Sequence, residues 1–94
     1  MPKFRKKPIV IDAIQLTKES FGEVLAFIDK DSLGDSYDGA DGLCWVNINT
    51  LEGVMSATQN SWVIKGVKGE FYPCTPGVFK ESYEEVIDGG GKNS

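Results

Sequence analysis

The sequence predicts an α+β fold: a mainly antiparallel sheet of about five strands in two layers, with one longer and one short helix. Three observations lead there. Strand-like segments outnumber helical ones, Gly-containing turns join neighbouring strand segments in the second half, and the strand–helix alternation of a parallel sheet is missing. A small, partly open barrel is the alternative arrangement of the same strands.

The first element is Ile9 to Leu16. Ile9, Ile11 and Ala13 fall on one face and Val10, Ile14 and Leu16 on the other, so the spacing predicts a strand covered on both sides. Ser20 to Glu23 has the capping-box pattern, in which the Ser20 hydroxyl caps a new helix and Glu23 reaches back. Phe21, Val24, Leu25 and Ile28 then recur at helical spacing and predict a helix over 21–29 with its apolar stripe on the sheet. Asp29 to Gly42 holds five Asp and three Gly with little apolar content, the composition of a solvated loop.

Leu43 to Asn49 alternates as a strand, Thr50 to Gly53 turns, and Val54 to Ala57 returns, making a first hairpin. Trp62 to Lys65 and Glu70 to Cys74 make a second around Gly66–Gly69, whose glycines supply the positive φ of a tight turn. Thr75 before Pro76 starts a short helix ending near Ser82 or Tyr83. The hydroxyl can cap, and proline at the first helical position gives up no needed donor. Phe79 and Tyr83 share one face of it. Glu84 to Ile87 can add a last edge strand, so one domain spans 1–88 and residues 89–94 follow as a flexible tail.

A chain of 94 residues supports one core, burying about 60–65% of the surface its unfolded form exposes. No apolar run approaches the roughly 18 residues that cross a bilayer. The opening MPKFRKKPIVIDAI resembles a secretory leader only briefly, because the apolar run stops at Asp12 and no small-residue cleavage site follows. The expectation is a cytoplasmic protein without membrane association. Cys44 and Cys74 lie thirty positions apart with no His in the chain, which excludes a Cys–His nucleophile and a zinc site. Both are expected as free, buried thiols, with a disulfide as the alternative.

Charge is uneven. Lys3, Arg5, Lys6 and Lys7 supply four of ten basic residues, leaving six against fourteen acidic ones from Pro8 onward, a net of −8. Such a body repels nucleic acid and attracts basic surfaces. The N-terminal cluster pulls the other way, and with Trp45, Trp62 and Tyr72 as stacking rings it suggests at most a weak, salt-sensitive nucleic-acid binder.

The Asp-rich segment does not fit a calcium loop: starting at Asp29 puts Leu33 fifth and Ala40 twelfth, where oxygen ligands are needed. The Gly66–Gly69 run matches a G-x-x-G phosphate clamp in letters, but that clamp joins two helices and this one joins two strand segments. Glu81, Glu84, Glu85, Asp12 and Glu52 are available for acid–base work, with no nucleophile or oxyanion donor placed beside them. No catalytic residue, metal ligand or cofactor is assigned, and no enzyme is expected. The expected binding residues gather at the second hairpin. Tyr72 and Trp62 could face each other beside Lys65 and Glu70 as a protein-binding patch, but Trp62, Phe71 and Phe79 are expected chiefly as core, which leaves Tyr72 the better surface candidate. Lys65, Lys68 and Arg5 are the cations that a phosphate ligand would meet.

Two parts of the chain, KFRKKPIVIDAIQLT at the start and Thr50 to Tyr83 with its GVKGEFYPC hairpin and Pro76-x-x-Phe79-x-x-x-Tyr83 ending, resemble a family of short, largely uncharacterised bacteriophage and prophage proteins. The middle is unmatched, and Gln59-Asn60-Ser61 stands where family members more often carry a Gly-Asp pair. The resemblance implies a viral accessory protein of the bacterial cytoplasm that acts by binding a host or phage protein, and it carries over no catalytic or ligand residue. A nucleotide-like small-molecule sequestering protein is the alternative, and self-association is left open.

Overall fold

A computed structural model describes residues 1–5 and 8–86. Among them form β1 (Asp12–Gln15), α1 (Phe21–Phe27), β2 (Leu33–Asp38), β3 (Cys44–Thr50), β4 (Gly53–Thr58), β5 (Trp62–Lys65), β6 (Phe71–Cys74) and α2 (Pro76–Ser82). Every strand pair is antiparallel, in two three-stranded sheets of order β1-β5-β6 and β2-β3-β4. The α+β class holds, with six strands in two sheets instead of about five in one. Both helices have seven residues, so neither is the longer. The strands do not close into a barrel; β6 packs against β3 and β4 without joining their ladder.

The core lies where the sheets meet. Successive strand residues point to opposite faces, so Cys44, Val46 and Ile48 of β3 share one face, joined by Ala57 of β4, Val63 of β5 and Phe71 of β6. The stripe of α1 adds Val24 and Ile28, with Phe21, Leu25 and Phe27 packed around them. Phe27 meets the Phe71 ring edge-on at 5.5 Å, tying the helix to β6.

β1 is shorter than its apolar run. Its partner β5 ends at Lys65, opposite Asp12, so Ile9 to Ile11 have no strand to pair with. Ile9 and Val10 are exposed rather than covered on both sides. Beyond the strand, Leu16 N donates to Ser61 O at 2.8 Å and Asn60 N to Leu16 O at 2.6 Å. The turn that enters β5 puts Asn60 at φ 76°, a conformation that Asn tolerates better than most residues.

The middle of the Asp-rich segment, Leu33–Asp38, is a strand, whereas residues 29–32 before it and 39–42 after it are turn and loop as expected. β2 pairs with β3 from Leu33 to Asp38, with a register shift between Leu33 and Ser36. It is an edge strand with only its first two residues half-buried, so packing never demanded apolar residues there and charge keeps the open edge soluble. Lys18 fastens the turn that follows: its Nζ donates to Asp38 Oδ1 and to the Gly39 carbonyl at 2.6 Å.

Neither helix is capped as expected. Ser20 occupies the N-cap of α1 without a side-chain cap bond. Its hydroxyl donates to the Gln15 carbonyl and accepts from Thr17 N at 2.9 Å, so it ties the end of β1 to the connection. Thr75 is the N-cap of α2, again without a cap bond from its hydroxyl, while Pro76 stands in the first turn as predicted. In the β5–β6 turn only Gly69 has positive φ, at 85°. Gly66 serves by size: a Cβ there would lie 2.6 Å from the Glu70 carboxyl group. Glu84 to Val86 form no strand; Ile87 and the tail expected at 89–94 lie outside the described residues.

Candidate functional site

The outer face of the β1-β5-β6 sheet holds the candidate site. Residues opposite one another share a face, so Trp62, Ile64 and Tyr72 point away from the core while Val63 and Phe71 point into it. Ile64 is nonetheless fully buried, which shows that this second face is covered too. The cover includes α2, which buries no residue completely. It is held by aromatic stacking: Phe79 lies on Trp62 with centroids 4.1 Å apart and planes 5° apart, and Tyr83 lies on Phe79 at 4.9 Å. The sequence placed Phe79 and Tyr83 on one helix face, and the stack follows from that spacing.

Beside the stack runs an open groove. Its two openings, of about 560 and 540 Å³, share Ile9, Val10, Ile11, Tyr83, Glu84 and Val86 as walls. The first extends to Val67, Glu70 and Tyr72, the second to Trp62 and Phe79. Most of the lining is aliphatic or aromatic. Among the described residues, every charged one lining it is a carboxylate: Asp12, Glu70, Glu84 and Glu85. Loss of water, and then the neighbouring Tyr83 hydroxyl, push the Tyr72 phenol up to about 12, so it stays protonated and neutral at physiological pH.

The structure brings together only part of the set predicted from sequence. Glu70 and Tyr72 line the groove. Trp62 and Tyr72 share the face without standing opposite: Trp62 pairs with Cys74 and Tyr72 with Ile64. Lys65 pairs with Phe71 and so projects from the other face, its Nζ 5.9 Å from the centre of that ring. Lys68 is exposed in the turn, where its backbone amide donates to Glu70 Oε1 at 3.0 Å. Arg5 is exposed on the segment leading to the groove. The sequence reading missed Ile9, Val10, Glu84 and Val86 as site residues because it assigned both segments to strands. The signal was present in an apolar run longer than its pairing partner.

Trp45, grouped with Trp62 and Tyr72 as a stacking platform, belongs to the other sheet. It lies against Tyr37 at 5.9 Å with planes 15° apart, and Ser56 Oγ donates to Asn47 Oδ1 at 2.6 Å beside it. The three rings therefore do not form one surface. A third cleft, of about 560 Å³, opens between the β3–β4 turn and β6, where Leu51 stands fully in solvent. Both cysteines are free, Cys44 buried and Cys74 half-buried, and burial pushes both thiols up.

Among the described residues no three His, Cys, Asp or Glu side chains gather as a metal site, and no helix is long and apolar enough to cross a membrane. Comparison of the chain with protein-family profiles, with curated proteins and with solved structures gives no match, so the functional reading rests on the residues themselves.

Proposed function

We propose that this is a phage- or prophage-encoded accessory protein that acts by binding a host or phage protein, and that the groove between Ile9–Ile11 and Tyr83–Val86 receives an extended segment of that partner. The carrying observation is the pairing, among the described residues, of an apolar lining with charged side chains that are all carboxylates. A segment that alternates apolar and cationic residues would lay its apolar side chains on the floor and its cations against the rim. The acidic body, net −8 from Pro8 onward, would steer such a partner from a distance.

The test is fluorescence anisotropy with a labelled peptide of alternating Lys and Leu, beside the same peptide with Glu for Lys. Saturable binding of the Lys peptide in the micromolar range is expected, weakening with salt and at least about tenfold weaker for Glu70→Lys/Glu84→Lys. Equal affinity of wild type and variant would remove the groove from the reading. A photo-crosslinker at position 83 in infected cells would then name the partner.

A small-ligand role is the second reading, favoured by the size of the openings, which lies within the range of about 300–1,000 Å³ for small-molecule sites. The carboxylates argue against a phosphate-bearing ligand. A nucleotide at about 100 times its dissociation constant should add about 2.7 kcal/mol of stability, and a thermal-shift screen reads it.

A further inference from the structure

Taking the groove as a protein-binding surface, we propose that a second copy of this chain also occupies it, through its N-terminal arm, so that two molecules exchange arms about a twofold axis. The arm is residues 1–5 and the chain leading from them to Pro8. All five are exposed, with Phe4 at 93% and Met1 at 110% of full accessibility. Two large apolar side chains thus stand in water beside Lys3 and Arg5. In an extended chain Phe4 projects to one side and Lys3 and Arg5 to the other. That pattern is complementary to the groove, where Phe4 meets the apolar floor between Tyr72, Tyr83 and Val67 while the cations meet Glu70 and Glu84.

Position decides between a copy's own groove and its neighbour's. Pro8 and Ile9 are themselves groove walls, so the arm departs at the rim and would have to double back over them to fill the groove it leaves. Seven residues extended reach about 23–25 Å, enough to cross to an adjoining copy. Because the arm leaves from Pro8, a wall of the groove, two copies exchanging arms would each give and receive the same contact, as a twofold interface requires. The four cations of residues 3–7 also offset the repulsion between two acidic bodies.

Sedimentation velocity and native mass spectrometry on the full chain, from about 5 to about 500 μM, test this, because mass action makes the dimer fraction depend on concentration. Wild type is expected to pass from monomer to dimer in that range. Phe4→Asp/Arg5→Glu, altering only exposed residues, should raise the dissociation constant at least about tenfold, as should Glu70→Lys/Glu84→Lys. An equimolar mixture of the two variants should recover a heterodimer, since one intact arm then faces one intact groove. Thermal melts that match wild type at about 5 μM, where wild type is monomeric, confirm that both variants fold. Monomer throughout for wild type, or a dimer that either variant fails to weaken, overturns the proposal. A monomeric wild type that still binds the Lys–Leu peptide removes arm exchange alone. Arm exchange is upheld, and the partner reading lost, if the wild-type dimer depends on both sites while the arm variant, its groove vacant, ignores the peptide.

Discussion

At the scale of single residues, hydroxyl positions matter more than residue type. Thr75 is exposed and makes no cap bond, so Thr75→Ala should cost under about 0.5 kcal/mol in urea unfolding. Ser20, with a donated and accepted bond between β1 and its connection, should cost about 1–2 kcal/mol as Ser20→Ala. The phenol of Tyr72 gives a pH dependence. Its folded value, about 12, lies above the ordinary 10.0 of the unfolded chain. Below pH 10 both states hold the proton and stability is whole; as pH rises from 10 to 12 the unfolded state loses it first, and stability falls. Partial exposure limits the loss to about 1–2 kcal/mol, and thermal melts of Tyr72→Phe should lack that part of the slope. Among the thiols, Cys74 should react with Ellman's reagent before Cys44, because only Cys44 is fully enclosed.

Elements were legible where packing dictated their sequence. β5 matches its prediction to the residue, since Val63 and Ile64 face covered surfaces on both sides and a Gly-bounded turn follows. The stripe of α1 was legible for the same reason. β2 was not, because an edge strand made of Gly-Asp-Ser-Tyr-Asp is held by backbone bonds to β3, and a pairing partner leaves no mark on a strand's own composition. The groove was legible in parts only: Glu70 and Tyr72 stand in a recognisable hairpin, whereas Ile9, Val10 and Glu84 gain their role from the point where β5 stops. For α2 the stack is the attachment. Phe79→Ala should therefore free the helix from the sheet: amide exchange at positions 79 and 83, whose N–H groups bond within the helix in the native chain, should approach that of unstructured chain while β3 stays protected.

Over the whole molecule, one core serves both sheets, and Phe71 is its shared member, 2% exposed. Phe71→Ala should cost about 3–5 kcal/mol, a large part of the roughly 5–14 kcal/mol expected for 94 residues. Protection should fall in β3 and β5 together, and loss confined to β5 would count against a common core. The two tryptophans give the molecule a pair of optical reporters. Trp62 sits under Phe79 on the outer side of one sheet and Trp45 beside Tyr37 on the other, and neither belongs to the core cluster. With one replaced by Phe, the emission of the other reports on its own sheet. In Trp45→Phe, Trp62 would register a ligand entering the groove as a change in colour or quenching, while Trp62→Phe, which reports Trp45 alone, would stay silent as the matched control.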